Sequence, residues 1–166
     1  TAPGVGTDTL LSVENVRGSN FADSYDATGF GSGSANAGSS ATLNGLEGMG
    51  GNDTITGNGN TLVSYLNAAA GVTVDLLTGT GQGIDAGDVA NVGIDTFTGI
   101  SGVVGSAFND ILRGSNNNTG FELFNGNGGD DLIDGRGGFD RVIYSTILND
   151  TVTGGVSIDM ASGIVT

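Results

Sequence analysis

Apolar side chains in this chain come one or a few at a time, between polar segments dense in glycine. The clearest beat runs through Phe124, Ile133 and Val142, which stand nine residues apart. Two residues before each is an acid, Glu122, Asp131 or Asp140, and two before that a glycine, Gly120, Gly129 or Gly138. Such a unit predicts about six residues of turn, then a strand of about three with one inward apolar side chain. Longer alternation occurs in Val72-Thr73-Val74-Asp75-Leu76 and Val156-Ser157-Ile158-Asp159-Met160. Asp75 and Asp159 fall opposite the apolar residues there and read as a solvated strand face. Asp85 and Asp88 read as loop charges. No stretch approaches the roughly 18 apolar residues of a membrane-spanning helix, so no membrane span is expected.

Two long copies lie over this beat. Thr7-Asp8-Thr9-Leu10 recurs 87 residues on as Ile94-Asp95-Thr96-Phe97, and the same shift carries Val13 to Ile100, Phe21 to Phe108 and Asp23 to Asp110. Residues 50–55 match 128–133 at a shift of 78, the nine-residue difference falling within residues 29–41. Residues 71–76 match 155–160 at a shift of 84. The chain therefore reads as a first copy over 1–86 and a second over 87–166, stacked as one solenoid. Phe21, Phe108, Tyr65 and Tyr144 recur between the copies and read as core or cap residues.

The nine-residue unit can be written out. Gly126-Asn127-Gly128-Gly129-Asp130-Asp131-Leu132-Ile133-Asp134 and Gly135-Arg136-Gly137-Gly138-Phe139-Asp140-Arg141-Val142-Ile143 fit G-G-x-G-x-D-x-U-x at every position but the second. Gly48-Met49-Gly50-Gly51-Asn52-Asp53-Thr54-Ile55-Thr56 fits equally well, and Gly4-Val5-Gly6-Thr7-Asp8-Thr9-Leu10 carries most of the pattern.

Composition narrows the chemistry. Glycine supplies 33 of 166 residues, about three times its usual share, which opposes a helical domain because each helical glycine costs about 1 kcal/mol relative to alanine. Cys, His, Lys and Trp are absent, so the thiolate and imidazole chemistry of most zinc sites and nucleophilic triads is missing. The net charge is −14, with Arg17, Arg113, Arg136 and Arg141 as the only side-chain cations, which excludes neutralising a run of nucleic-acid phosphates. An anionic membrane surface is disfavoured for the same reason.

Fifteen of the 18 acids are Asp, a turn residue, and many lie in glycine-rich turns. A nine-residue unit cannot bury its own apolar face and must stack on neighbours, as a parallel solenoid cored by Ile, Val, Leu, Phe and Tyr. Stacking brings equivalent carboxylates together, and their repulsion destabilises the stack unless a cation lies between them. Carboxylate and carbonyl oxygens, with no nitrogen or sulfur ligand, select Ca²⁺ over transition metals. Other site readings fail. No G-x-G-x-x-G occurs for phosphate, and an EF-hand loop starting at Asp130 would have Leu132 in its third position and Arg141 in its twelfth. Paired carboxylates could serve glycoside hydrolysis, but these keep a metal-type period and no enzyme activity is expected.

The nonapeptides at 43–60 and 110–145 resemble those of the hemolysin-type calcium-binding, or repeats-in-toxin (RTX), family. The resemblance implies an all-β chain, a parallel β-roll or β-solenoid in which two nonapeptides make one turn and Ca²⁺ is held by Asp side chains and Gly carbonyls. Carried over by position, the ligands are Asp53, Asp131 and Asp140, with Gly48, Gly51, Gly126, Gly129, Gly135 and Gly138. Asp110 is expected to face Asp131, Glu122 to face Asp140, and Asp23 to face Asp53. Asn44 stands where an acid is expected nine before Asp53, and the segment 60–63 lacks the acid at Asp140, so the first copy is expected to bind fewer ions. Asp8 and Asp95 are further ligand candidates that do not keep the beat.

The resulting expectation is a calcium-binding structural module of a larger secreted, bacterial-type protein, loosely structured without calcium and folded outside the cell. The resemblance implies type I secretion. The competing expectation is a calcium-dependent adhesion or carbohydrate-binding module of a surface protein or extracellular enzyme, whose partners would be a neutral glycan or other domains.

Overall fold

Short strands between Gly- and Asp-rich turns follow from the pattern above. The computed structural model describes residues 7–31, 33–34, 42–144 and 155–166, and it is all-β, with no helix among them. No helix of the described residues is therefore long and apolar enough to cross a membrane. Residues 4–6 of the first nonapeptide match, and most of 29–41, lie outside the described residues.

In chain order the strands are β1 (Asn15–Arg17), β2 (Ser24–Asp26), β3 (Asn44–Glu47), β4 (Thr54–Ser64), β5 (Val72–Asp75), β6 (Thr80–Gly83) and β7 (Ile94–Val104). They continue as β8 (Ile111–Arg113), β9 (Phe121–Asn125), β10 (Leu132–Asp134), β11 (Phe139–Val142), β12 (Ile158–Asp159) and β13 (Ile164–Val165). The first eleven form one sheet; β12 and β13 form a separate antiparallel pair. Pairing in the large sheet is mostly parallel: β1 with β3, β2 and β3 with the two halves of β4, β4 with β7, β7 with β9, β9 with β11, and β5 with β8 and β8 with β10. The long strands β4 and β7 turn a corner together, their register slipping between Thr56 and Leu62. There Gly57 and Gly99 lie so close that a Cβ on either would strike the other's carbonyl.

Within the large sheet one element departs from the parallel expectation. β6 runs antiparallel to both β5 and β7. Its sequence, Thr-Gly-Gln-Gly, holds no apolar residue and gives no strand pattern. The preceding turn makes it: the Asp75 carboxylate accepts from the N–H groups of Leu77 and Thr78 at 3.0 and 3.1 Å, and Gly79 adopts φ 67°.

The core is a line of single apolar residues contributed by successive strands, among them Ile55, Val63, Val74, Phe97, Val103 and Phe124. Burial along the nine-residue beat fades: Phe124 is wholly buried, Ile133 half-buried and Val142 exposed. Tyr65 belongs to the core, whereas Phe21, Phe108 and Tyr144 are exposed.

Asp75 is not a solvated charge. Its carboxylate grips the Arg136 guanidinium through two contacts of 2.5 and 2.7 Å, which together with two N–H donors holds its pKa down at about 2. A carboxylate held below its ordinary value of about 4 contributes stability above that value and loses it as pH falls through about 2. Arg136→Met is therefore expected to lower the denaturant midpoint at pH 6, with the gap to the parent chain closing between pH 4 and pH 2.

Candidate metal centre

The sequence-predicted acids stand where strands begin, and parallel pairing stacks them. Asp23, Asp53 and Asp95 share one register row, since Ser24 pairs Thr54 and Thr54 pairs Thr96. The Asp23 N–H donates to Asp53 Oδ1 at 2.8 Å, and the Asp53 N–H to Asp95 Oδ1 at 2.9 Å. A second row holds Asp131 and Asp110: the Asp110 N–H donates to Asp131 Oδ1 at 2.9 Å, and the Val72 N–H to Asp110 Oδ1 at 2.8 Å. In a third, Glu122 and Asp140 are direct partners, with the Glu122 N–H bonded to the Asp140 carboxylate. The three expected facing pairs, Asp23 with Asp53, Asp110 with Asp131 and Glu122 with Asp140, are thus adjacent.

The second carboxylate oxygen divides these acids into two kinds. In each of five turns it folds over the glycine five residues earlier: Asp23 over Gly18, Asp53 over Gly48, Asp110 over Gly105, Asp131 over Gly126 and Asp140 over Gly135. A Cβ on any of those glycines would collide with the carboxylate. Where the next residue is serine, its N–H closes on that oxygen, Ser19 to Asp23 and Ser106 to Asp110, both at 2.6 Å. Ser115 serves Glu122 likewise at 2.8 Å. In the nonapeptide turns that residue is Met49, Asn127 or Arg136, held at φ 74°, 68° and 60°. The N–H groups of Asn127 and Arg136 go instead to Asn125 and Asp134 side chains. In the turn of Met49, Asp53 Oδ2 is buried without a hydrogen-bond partner.

Glycine is required for a further reason at the fourth turn position. Gly51, Gly129 and Gly138 adopt φ of 103°, 106° and 119°, and a Cβ on them would strike the backbone of Phe21, Phe108 and Asn117 in the neighbouring turn. Those contacts let the turns stack closely enough for the carboxylate rows to form.

Burial makes the rows electrostatically costly. Desolvation raises Asp95 to about 7 and Asp131 to about 6, and pushes Asp53, Asp110 and Asp140 above the usual carboxylate range. Neighbouring acids add to the shift, Asp23 on Asp53 and Asp110 on Asp131. Among the described residues no three acidic side chains converge on one point, so any ion here would draw on carboxylates in pairs together with backbone carbonyls.

Two candidates behave differently from the rest. Asp8 lies exposed, outside any strand. Asp95, which does not keep the beat, is only 2% exposed and is held by Tyr65, whose hydroxyl donates to Oδ2 at 2.9 Å. Nothing in the local sequence marks that tyrosine as a partner, because it lies 30 residues away on another strand end. Asn44, in the place of an expected acid, is buried and accepts from the hydroxyls of Thr61 and Tyr25 at 2.9 and 3.1 Å. Its row is neutral there, and hydrogen bonds between side chains replace paired charges. Asp88 caps its own loop through the N–H groups of Val92 and Gly93.

No protein-family model matches this chain, and no curated protein matches it either.

Proposed function

We propose that the chain is a calcium-binding structural module of a larger secreted protein, a parallel β-roll of Gly- and Asp-rich nonapeptides in two copies, 1–86 and 87–166. The observation that supports this most is the buried, unpartnered Oδ2 of Asp53, held over Gly48 in a turn whose glycine and acid positions recur at Gly126 with Asp131 and at Gly135 with Asp140. A buried anionic oxygen without a donor is costly by several kcal/mol unless a cation meets it. The donor set fits calcium: Asp53, Asp131 and Asp140 offer carboxylate oxygens, and the glycine-rich turns offer backbone carbonyls. Asp23, Asp110, Glu122 and Asp95 supply the neighbouring negative charge. Calcium brings two positive charges to each pair, offsetting much of the −14. The module then serves as a spacer that is loose at submicromolar calcium and rigid outside the cell.

Equilibrium dialysis of the whole chain against calcium and against magnesium tests the reading. Saturable uptake of several calcium ions, with half-saturation at about 0.1 to 1 mM and weaker uptake of magnesium, is the expected result. No uptake at about 10-fold higher calcium would remove the proposal.

A further inference from the structure

The two halves of the large sheet meet at a joint of three pairings, β4 with β7, β6 with β7 and β5 with β8. One side of the joint is β4 and the hairpin β5–β6; the other is β7 and β8. Each side has a counterpart elsewhere in the chain. Residues 7–10 and β2 stand 87 residues before the start of β7 and before β8, and β2 pairs β4 as β8 pairs β10. The hairpin β12–β13 stands 84 residues after β5–β6 and repeats its turn bond for bond. Asp159 Oδ1 accepts from Ala161 and Ser162 at 2.9 and 3.2 Å, as Asp75 Oδ1 does from Leu77 and Thr78 at 3.0 and 3.1 Å. Gly163 at φ 71° donates to the Asp159 carbonyl, as Gly79 at φ 67° does to that of Asp75.

The counterparts differ in cover. Val72 and Val74 are 0% exposed, but their equivalents Val156 and Ile158 are 40% and 53% exposed. On the other side Phe97 is 4% exposed and its equivalent Leu10 is 50% exposed. β10 and β11 pair on one edge only, with β8 and β9. Each end of the fold therefore shows the surface that the joint buries, and the two ends are complementary.

We infer that the chain assembles head to tail: β10, β11 and the hairpin β12–β13 of one copy dock on residues 7–26 of a second copy of the same chain, repeating the internal joint. The equivalences fix the contacts. Ile158 opposes Tyr25 of the next copy, as Val74 opposes Leu112. Asp8, otherwise an exposed acid without a strand, takes the place of Asp95: it accepts from Asp131 N–H, as Asp95 accepts from Asp53 N–H at 2.9 Å. Gly81, where a Cβ would strike the Tyr65 hydroxyl and press on the Phe97 ring, becomes Val165: Leu10 in place of Phe97 makes room on one side, and on the other the Tyr144 hydroxyl must turn away from the valine. A second contact is also poorer than in the joint. Asp75 is in register with Arg113, but Asp159 comes into register with Asp26, a like-charge pair. The contact is heterologous and does not close on itself, so assembly is open-ended. The Asp8–Asp131 contact repeats the Asp95–Asp53 pair that the proposed function gives to calcium, so the inference rests on that reading there, and circular dichroism in the calcium-containing buffer separates failure to fold from failure to assemble.

Sedimentation of the whole chain over a wide concentration range, with circular dichroism confirming strand structure in the same calcium-containing buffer, is the test. The parent chain should grow beyond a dimer as concentration rises. Leu10→Asp and Ile158→Asp each alter an exposed residue, so each should keep the parent spectrum yet remain a monomer. Mixed together they should form a 1:1 dimer that grows no further, because each retains the face that the other lacks. Asp26→Arg, which restores the charge of Arg113, should tighten association several-fold. A folded parent chain that stays monomeric, single variants that still assemble, or a mixture that stays monomeric would each overturn the inference.

Discussion

Removing calcium is expected to abolish most of the strand signal of this chain, and restoring about 1 mM calcium to return it. A site with a dissociation constant of about 0.1 mM contributes RT ln 11, about 1.4 kcal/mol, at that concentration. Three such sites, one for each facing pair, give about 4 kcal/mol, close to the lower end of the roughly 5 to 15 kcal/mol by which a whole domain is stable. Without the ions, the carboxylate rows work against folding. Asp95 is raised to about 7, Asp131 to about 6, and Asp53, Asp110 and Asp140 are raised as well, so the folded chain holds protons that the unfolded chain has released. For groups shifted upward the stabilising proton is present below the unfolded value of about 4 and is lost as pH rises through the folded value. The calcium-free chain should accordingly hold more strand structure at pH 5 than at pH 8. Far-ultraviolet circular dichroism during calcium titration and chelation measures both effects. A strand signal unchanged by excess chelator at pH 8 would remove the folding switch.

Short-range pattern made much of this molecule legible. The beat through Glu122, Asp131 and Asp140 placed three strands, β9 to β11, and the facing of Glu122 with Asp140, because a period of nine fixes which residues can meet in parallel register. What escaped depends on partners distant in the chain. β6 has no apolar residue, and it is a strand because β5 and β7 flank it. Asp75 reads as solvated until Arg136, 61 residues on, is brought beside it. Asp95 looks weaker than Asp131 by spacing, yet it is the more deeply buried, because its row joins residues 42 apart. The split between serine-closed and open carboxylates was also written in the sequence, in Gly18-Ser19 and Gly105-Ser106 against Gly48-Met49, Gly126-Asn127 and Gly135-Arg136, but its meaning needs the turn geometry.

Asp53→Asn should change stability in opposite directions with and without calcium. The amide keeps an oxygen to accept the Asp23 N–H, a bond of 2.8 Å in the parent. It replaces the unpartnered anionic Oδ2 with a neutral group, and a neutral buried group without a partner costs less than a charged one. Asn44, buried in another row and bonded to Thr61 and Tyr25, shows that an amide is accommodated in such a row. In chelator the variant should therefore retain more strand signal than the parent. In saturating calcium it should unfold at lower denaturant, by about 1.4 kcal/mol or more, since one ligand of one site is lost. The crossing of sign is the signature of a carboxylate kept for an ion. If Asp53 were only a cap for the Asp23 N–H, the substitution would shift both conditions the same way, and that outcome would set the calcium role of this residue aside.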